Sequence, residues 1–247
     1  MLTLLSPAKS LNYESSHHAG FTLPHFAAET KILAAKLKKF SVPDLEKLMG
    51  ISKNLAELNH QRFQNFSDKF TKGLEFENSK QAILAFDGDV YKPIEAEKFS
   101  AADFDFAQKS LRILSGFYGI LRPLDLIQPY RLEMGTKLDL YKFWSDKISQ
   151  QLDSEGAKHI INLASEEYFS AVNPKKISAK IINIAFKENK NGTYKIIGIH
   201  AKKARGLMTN FIVKNKITDP KDLKNFQSEN YRFAKEMSDE MNFIFVR

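Results

Sequence analysis

Apolar and polar positions follow strand-like and helix-like spacings in turn along the whole chain. The apolar run at residues 1–6 predicts a buried strand, and residues 159–163 and 241–246 predict two more. Helical spacing predicts amphipathic helices over residues 23–40 and 138–152. We therefore predict a mixed α/β fold, in which a single compact domain of residues 1–247 has a central mixed sheet flanked by helices.

Turn and cap residues mark several boundaries within this pattern. The Asn-Gly pair at residues 191–192 stands between apolar runs at 180–187 and 193–200, and it predicts a β-hairpin because both residues tolerate positive φ. Ser100 is followed three residues later by Asp103, which has the form of a capping box with Asp in place of Glu. This spacing predicts a helix start after Ser100.

A helical hairpin is predicted at about residues 44–63. Helical spacing through Leu48 breaks at Gly50-Ile51-Ser52 and resumes with Leu58. Glycine tolerates the left-handed conformation that ends a helix, and serine is a favoured N-cap. A helix start of this kind exposes unpaired N–H groups, which bind phosphate. A hairpin that only packs explains the same pattern equally well. The candidate phosphate-binding residues here are Gly50, Ile51, Ser52, Lys53, Asn54 and Arg62.

Composition and charge limit the classes of partner. The net charge is +8, and residues 171–247 carry 16 Lys and Arg against 7 Asp and Glu, as expected for a surface that faces a polyanion. A lysine-rich solvated surface gives the same count. Since there is no cysteine, disulfides and a thiol-based redox switch are excluded. No apolar run approaches the ~20 residues of a membrane span, so we predict a cytoplasmic monomer that does not contact membranes.

No metal or cofactor is predicted. The Asp-Gly-Asp segment at residues 87–89 is interpreted as a turn, because the further oxygen ligands of a calcium loop are missing after it. His17, His18 and His25 have no metal-ligand spacing and are predicted as surface histidines. Phosphate-loop, dinucleotide-binding and nucleophile-elbow motifs are also missing.

A basic cluster at residues 200–206 crosses from a predicted strand end into a helix predicted over residues 201–215. Positive side chains at a helix start oppose the helix dipole, which prefers acids there. That local cost makes sense if an anion completes the site, although a solvated basic turn is the alternative. The candidate residues for an anion are Lys202, Lys203 and Arg205.

A second set of polar residues suggests an enzyme. Lys9 follows the C-terminal end of the first predicted strand, where ligand sites often form in open α/β sheets. If it were buried, Lys9 could act as a nucleophile or base, with Glu133 or Glu166 as an acid–base partner. Arg131 and Glu133 could line a pocket as an ion pair or only fix their loop. The full candidate pocket is Lys9, Arg131, Glu133, Ser165, Glu166 and Arg205.

Four long segments carry a family resemblance. They read LSPAKSLNYES, LRILSGFYGILRPLDLIQPYRLEMG, INLASEEYF and IIGIHAKKARGLMTNFIV. In this order they resemble the YaaA family of peroxide-stress resistance proteins, and the resemblance spans nearly the whole chain. It implies a single mixed α/β domain with a positively charged cleft, a helix-hairpin-helix at residues 48–58, and an association with DNA binding and repair under oxidative stress. The implied cleft takes in Lys202, Lys203 and Arg205.

Two hypotheses follow. In the first, the protein grips the phosphate backbone of duplex or branched DNA without sequence preference, in support of repair or recombination after peroxide stress. In the alternative, it is an enzyme acting on a nucleotide-like or other small anionic substrate in the candidate pocket. The sequence does not separate DNA from RNA as the polyanion.

Overall fold

Strands and helices alternate along the chain as the sequence pattern indicates. The computed structural model describes residues 1–14, 20–67 and 78–247, so His17 and His18 lie outside the described residues. The strands are β1 (Leu2–Leu5), β2 (Ser10–Leu11), β3 (Lys80–Gln81), β4 (Phe86–Asp87), β5 (Leu111–Ser115), β6 (Gly119–Leu121), β7 (Leu126–Ile127), β8 (His159–Asn162), β9 (Lys180–Lys190), β10 (Thr193–Lys195), β11 (Arg232–Phe233) and β12 (Asn242–Val246). The α-helices are α1 (Ala27–Leu37), α2 (Val42–Met49), α3 (Lys53–Asn65), α4 (Ala82–Ala85), α5 (Ala101–Ser110), α6 (Leu140–Trp144), α7 (Lys147–Ser154), α8 (Glu166–Phe169) and α9 (Gly198–Lys214). Short 3-10 helices span Lys92–Ile94, Ala96–Lys98, Pro174–Lys176, Pro220–Asn225 and Lys235–Met237.

The central sheet has the strand order β11-β12-β9-β8-β1-β5-β6, and β10 pairs with the C-terminal end of β9. Neighbouring strands from β12 to β5 run parallel, whereas β11, β6 and β10 pair antiparallel with their neighbours. Two small antiparallel pairs, β2 with β4 and β3 with β7, lie outside this sheet. The predicted single compact domain with a central mixed sheet flanked by helices is confirmed.

The order of the parallel strands creates a switch point beside β1. The chain leaves β1 for β5 on one side and later returns to β8 on the other, from which it continues to β9 and β12. Connections that leave adjacent strands in opposite directions open a crevice outside the carboxyl ends of those strands. Here that crevice receives the residues that follow Leu5 and Asn162.

Burial explains why the inner strands are read easily from sequence. Leu4, Leu5, Ile160 and Ile161 are fully buried, so successive residues of β1 and β8 are buried on both faces, as expected for inner parallel strands. Burying an apolar side chain of this size stabilises the fold by about 1.5–3 kcal/mol.

Helix α9 packs closely against the segment that contains the first 3-10 helix. A Cβ added at Gly206 would lie 2.1 Å from the carbonyl oxygen of Val90, so glycine is needed for this approach. Asn210 Nδ2 also donates a hydrogen bond to the carbonyl oxygen of Ile94 at 2.8 Å. These contacts place the first half of α9 next to the turn at residues 87–89.

Three predicted boundaries are wrong for identifiable reasons. Helix α1 begins after Phe26 instead of at residue 23, because Thr22 is held extended by backbone hydrogen bonds to Leu124 and Leu126. The helix predicted over residues 138–152 is broken at Ser145, which has a φ of 41°. Pairing of β10 ends at Lys195, so α9 begins at Gly198 and takes in residues predicted as strand.

Candidate nucleic-acid interface and anion pocket

A pocket of about 530 Å³ lies at the switch point between β1 and β8. Its lining comes from the segments after these two strands, from residues 87–90, from the segment after β7 and from the first half of α9. We call it the switch-point pocket, and its polar lining residues are Ser6, Lys9, Ser10, Asp87, Asp89, Glu133, Ser165, Glu167, Tyr168, Lys202 and Arg205.

Hydrogen bonds join the two strand ends at this pocket. The Ser165 N–H donates to Ser6 Oγ at 2.8 Å, and Ser6 Oγ donates to Ser165 Oγ at 3.2 Å. The Tyr91 hydroxyl donates to the carbonyl oxygen of Ser6 at 2.8 Å. Each of these groups is thereby fixed in place by a neighbour, and Ser165 Oγ keeps its own proton for a further acceptor.

Glu133 is neutralised by two cations. Lys9 Nζ lies 2.6 Å from one carboxylate oxygen, and Arg131 Nη2 donates to the other at 3.1 Å. Arg131 therefore reaches the pocket through Glu133 and does not line it. The Lys9 side chain is 61% exposed. The burial that a lysine nucleophile requires is missing, so the structure favours a role for Lys9 in its pair with Glu133.

Lys202 and Arg205 line the same pocket from one side of α9. Within the described part of the chain, neither side chain has an ion-pair partner, and Arg205 Nε is buried without a hydrogen-bond partner. Burial lowers the pKa of Arg205, yet a guanidinium stays charged at any physiological pH. A partly buried cation without a counter-charge is costly, so an external anion would stabilise this site.

The rest of the basic cluster points to a different set of partners. Lys203 Nζ lies 2.5 Å from Glu229, and Glu229 also pairs with Arg247. Glu188 accepts hydrogen bonds from Arg247, as well as one from Tyr231, and its carboxylate lies next to His200 Nδ1. We call this set the C-terminal ion network; it consists of Glu188, His200, Lys203, Glu229, Tyr231 and Arg247.

Two differences separate the observed pocket from the predicted one. Glu166 is exposed and does not line the pocket, whereas its neighbour Glu167 does and accepts a hydrogen bond from the Gly135 N–H at 2.9 Å. Asp87 and Asp89, interpreted from sequence only as turn residues, also line it. Two carboxylates in one tight turn were the available signal, but the packing of that turn against α9 is not readable from sequence.

The turn between α2 and α3 has the backbone expected of a helical hairpin. Gly50 adopts the left-handed conformation, with φ 61° and ψ 42°, and its N–H donates a hydrogen bond to the carbonyl oxygen of Glu46 at 2.8 Å. Ser52 is the N-cap of α3 at φ −66°, so it carries no strain, and its side chain makes no capping hydrogen bond. The first amides of α3 therefore remain available to an external acceptor. That α2 and α3 act as a helix-hairpin-helix module stays a prediction.

The charged side chain at this turn is weakly paired. Lys53 is exposed and lies 3.9 Å from Glu57 on the next turn of the helix. An exposed pair of this kind is worth well under about 1 kcal/mol, so a phosphate can compete for the lysine. Ile51 is half-buried and packs against the core, while Ser52 and Asn54 are exposed.

A second cavity lies beside α3 and has one lining residue in common with the switch-point pocket. It is lined by Leu58, Gln61, Arg62 and Asn65 of α3, and it shares Asp87 with the switch-point pocket. We call it the α3 cavity. Lys53 lies nine residues before Arg62, which is about 13 Å along the helix, so the hairpin turn stands beyond the end of this cavity.

Arg62 resembles Arg205 in its environment. It is half-buried, donates a hydrogen bond to Asn59 at 3.3 Å, and has no carboxylate partner among the residues described. Burial lowers its pKa, and nearby Arg131 acts in the same direction. Arg62 and Arg205 are thus two half-buried guanidinium groups in cavities that share Asp87, and neither has an ion-pair partner among the described residues.

Two kinds of site are missing from the parts of the chain that the structure describes. In residues 1–14, 20–67 and 78–247, no three His, Asp or Glu side chains cluster as they would around a metal ion. In the same residues, no helix has both the length and the apolar character needed to cross a bilayer.

Comparison with known proteins identifies relatives over the full length. The family model described as peroxide stress protein YaaA matches residues 1–237. A UPF0246 protein from Acaryochloris marina (strain MBIC 11017) is 51% identical over 255 residues, and the alignment covers 100% of both chains. These matches agree with the resemblance seen in the four sequence segments.

Proposed function

Because the chain belongs to the YaaA family of peroxide stress proteins, we propose that it binds the phosphate backbone of DNA in support of repair after oxidative damage. The observation that carries this proposal is the pair of half-buried guanidinium groups, Arg62 and Arg205. Each lines one of two cavities that share Asp87 as a lining residue, and neither has a carboxylate partner in the described chain. A nucleic-acid backbone supplies phosphates at regular intervals along such a path.

The individual contacts differ in character. The free amides at the start of α3 and the Lys53 ammonium would hold one stretch of backbone, as helix starts do with phosphates. Arg62, Lys202 and Arg205 would neutralise phosphates nearby, whereas Lys203 is already paired with Glu229 and is not expected to contact the backbone. Phosphate contacts carry no sequence information, so we expect little preference among duplex sequences. With no cysteine for scavenging, protection would act through damaged DNA.

Charge reversal at both ends of the path tests this function. We expect Lys53→Glu combined with Lys202→Glu to weaken binding to all duplex and branched DNA alike. The slope of log K against log salt should become less steep by roughly 0.9 for each phosphate that the variant no longer neutralises. Fluorescence anisotropy over a salt series measures both effects, with duplex RNA as a competitor to establish whether DNA is preferred.

The matched control is Lys203→Gln, which removes a lysine from the same helix but outside the switch-point pocket. If the double variant has unchanged affinity for DNA and an unchanged slope of log K against log salt, the proposed binding of the DNA backbone is refuted. A loss of the same size in Lys203→Gln would also count against it, because general charge would then explain the binding.

A second candidate function has one observation in its favour. Lys9, Glu133, Ser165 and Arg205 line one pocket, as expected if the protein were an enzyme with a small anionic substrate. Since Lys9 is exposed and paired with Glu133, we assign it to charge neutralisation and not to nucleophilic attack. Incubating the protein with nucleoside phosphates and analysing products by mass spectrometry tests this candidate. Turnover that is lost in Ser165→Ala supports the enzyme hypothesis. If none of the nucleoside phosphates gives a product, this hypothesis is rejected.

A further inference from the structure

The switch-point pocket contains two cations and two carboxylates that do not pair with one another. Lys202 and Arg205 line it, and so do Asp87 and Asp89, yet no ion pair joins any of these four groups. By contrast, the other carboxylates of the pocket have internal partners: Glu133 holds Lys9, and Glu167 accepts from the Gly135 N–H. Unpaired charges of both signs in one cavity indicate a ligand with two different ends.

A simple anion would satisfy only half of this pocket. Inorganic phosphate would neutralise Lys202 and Arg205, but it would leave Asp87 and Asp89 without donors and add a like charge near them. A carboxylate accepts hydrogen bonds strongly from hydroxyl and amino groups. The ligand that fits has a phosphate at one end and a neutral, donor-rich group at the other.

The dimensions and surfaces agree with such a ligand. A volume of about 530 Å³ falls within the range of about 300–1,000 Å³ found for small-molecule sites. Pro7, Ala8, Val90 and Tyr168 give the pocket apolar surface in addition to its charges. Its place at the switch point of a parallel sheet is also where such ligands bind in other open α/β folds.

We propose that the switch-point pocket binds one nucleoside monophosphate unit. Lys202 and Arg205 bind the phosphate, and Asp87 and Asp89 accept hydrogen bonds from the sugar hydroxyl or base amino groups. The proposal deepens the nucleic-acid function above, because the unit is either a free nucleotide or a nucleotide that has left the stack of a DNA strand. Unstacking costs a few kcal/mol and is least costly at an unpaired or mismatched base.

Calorimetry on the full chain tests the pocket with three probes: deoxynucleoside monophosphates, inorganic phosphate and the matching nucleosides. We expect at least one monophosphate to bind about tenfold or more tightly than phosphate or its nucleoside. Arg205→Gln should weaken this binding about tenfold, and Lys203→Gln should leave it unchanged. Lys202→Gln is a second variant at an exposed position, so it gives an answer even if Arg205→Gln fails to fold.

The carboxylates make the proposal specific. Asp87→Asn combined with Asp89→Asn should reduce the advantage of a monophosphate over inorganic phosphate, because amides replace two of the acceptors. Equal affinity for monophosphate and phosphate in the unaltered protein would overturn the proposal. Equal effects of Arg205→Gln and Lys203→Gln would do so as well.

Oligonucleotides then distinguish the two sources of the nucleotide. If it comes from a strand, duplexes with one unpaired nucleotide should bind more tightly than matched duplexes, and free monophosphate should remove that preference. Monophosphate binding without such a preference identifies the free nucleotide as the ligand. If monophosphates bind but no duplex does, the backbone proposal fails and the pocket proposal stands; if duplexes bind but no monophosphate does, the reverse holds.

Discussion

The basic side chains on the two sides of α9 differ in whether they have an internal partner. Lys202 and Arg205 face the switch-point pocket, where neither has an ion-pair partner in the described structure. On the other side, Lys203 forms an ion pair with Glu229, and His200 lies next to Glu188. The apolar stripe of Ala201, Ala204 and Met208 separates the two sides.

This difference shows that the number of cations on a helix does not identify a binding surface. A cation with an internal counter-charge contributes to the fold, whereas a cation without one is available to a ligand. By this criterion, the side of α9 that we propose binds a ligand carries Lys202 and Arg205, and the other side joins the helix to the C-terminal residue through Glu188 and Arg247.

The largest expected effect comes from removing the packing that both sides depend on. In Gly206→Ala the new Cβ would lie 2.1 Å from the Val90 carbonyl oxygen, so backbone must move. We expect the free energy of unfolding to fall by about 2–3 kcal/mol, even though alanine favours a helix by about 1 kcal/mol. Urea denaturation measures the change, and binding of DNA and nucleotides should weaken together.

Gly198→Ala is the matched control for this prediction. It lies in the first turn of the same helix, and nothing stands within 4 Å of an added Cβ. If Gly206→Ala proves as stable as Gly198→Ala, the close contact between α9 and Val90 is not what positions the helix.

Breaking the paired side should cost stability without affecting ligand binding. Glu188→Gln removes the charge that accepts hydrogen bonds from Arg247 and Tyr231 and pairs with His200. We expect a loss of about 1–2 kcal/mol in the free energy of unfolding, since hydrogen bonds to a charged group are lost. Thermal unfolding measures it, with the exposed Glu236→Gln as control. Weaker nucleotide binding in Glu188→Gln would show that the two sides are not independent.

Lowering the pH should weaken the C-terminal ion network. Burial alone would raise the pKa of Glu188, but hydrogen bonds from Arg247 and Tyr231 outweigh it, so the pKa lies below the ordinary 4.5. A hydrogen bond from Lys203 likewise lowers the pKa of Glu229. A depressed pKa means that the stabilisation is present above about pH 4.5 and is lost as pH falls through the folded value.

The measurement compares the unaltered protein with Glu188→Gln at several pH values. Their difference in free energy of unfolding should be constant near neutral pH and should narrow as the pH falls below 4.5, the ordinary pKa of a glutamate. A difference that stays constant down to the acid transition would mean that folding does not lower the pKa of Glu188.

The sequence predicted best what depends on local chemistry. The capping box of Ser100 and Asp103 is present, with both of its hydrogen bonds. The hairpin at residues 191–192 is also present, with positive φ at both positions. The break at Ser145 was missed because it depends on the fold, since the adjacent Trp144 is fully buried and donates a hydrogen bond to Gly116.

The candidate site was predicted in part for the same reason. Lys9 and Ser165 follow the ends of two strands, so a strand prediction alone brings them near the sheet edge. Lys202, Lys203 and Arg205 were treated as one cluster, although successive helical positions differ by about 100°. The alanine stripe at 201 and 204 could have divided them. Asp87 and Asp89 reach the pocket through the packing of α9, for which the sequence has no local signal.

The variants with the smallest expected change in stability give the most direct test of the difference between the two sides of α9. Lys202→Gln should change the free energy of unfolding by less than about 0.5 kcal/mol, because an exposed side chain without an internal partner does little for the fold. Lys203→Gln should cost about 0.5–1 kcal/mol through its pair with Glu229. The order should invert for duplex DNA, with Lys202→Gln weakening binding and Lys203→Gln leaving it nearly unchanged. If both variants shift stability and binding equally, the two sides of α9 do not differ in function, and internal pairing is not what selects the residues that meet a ligand.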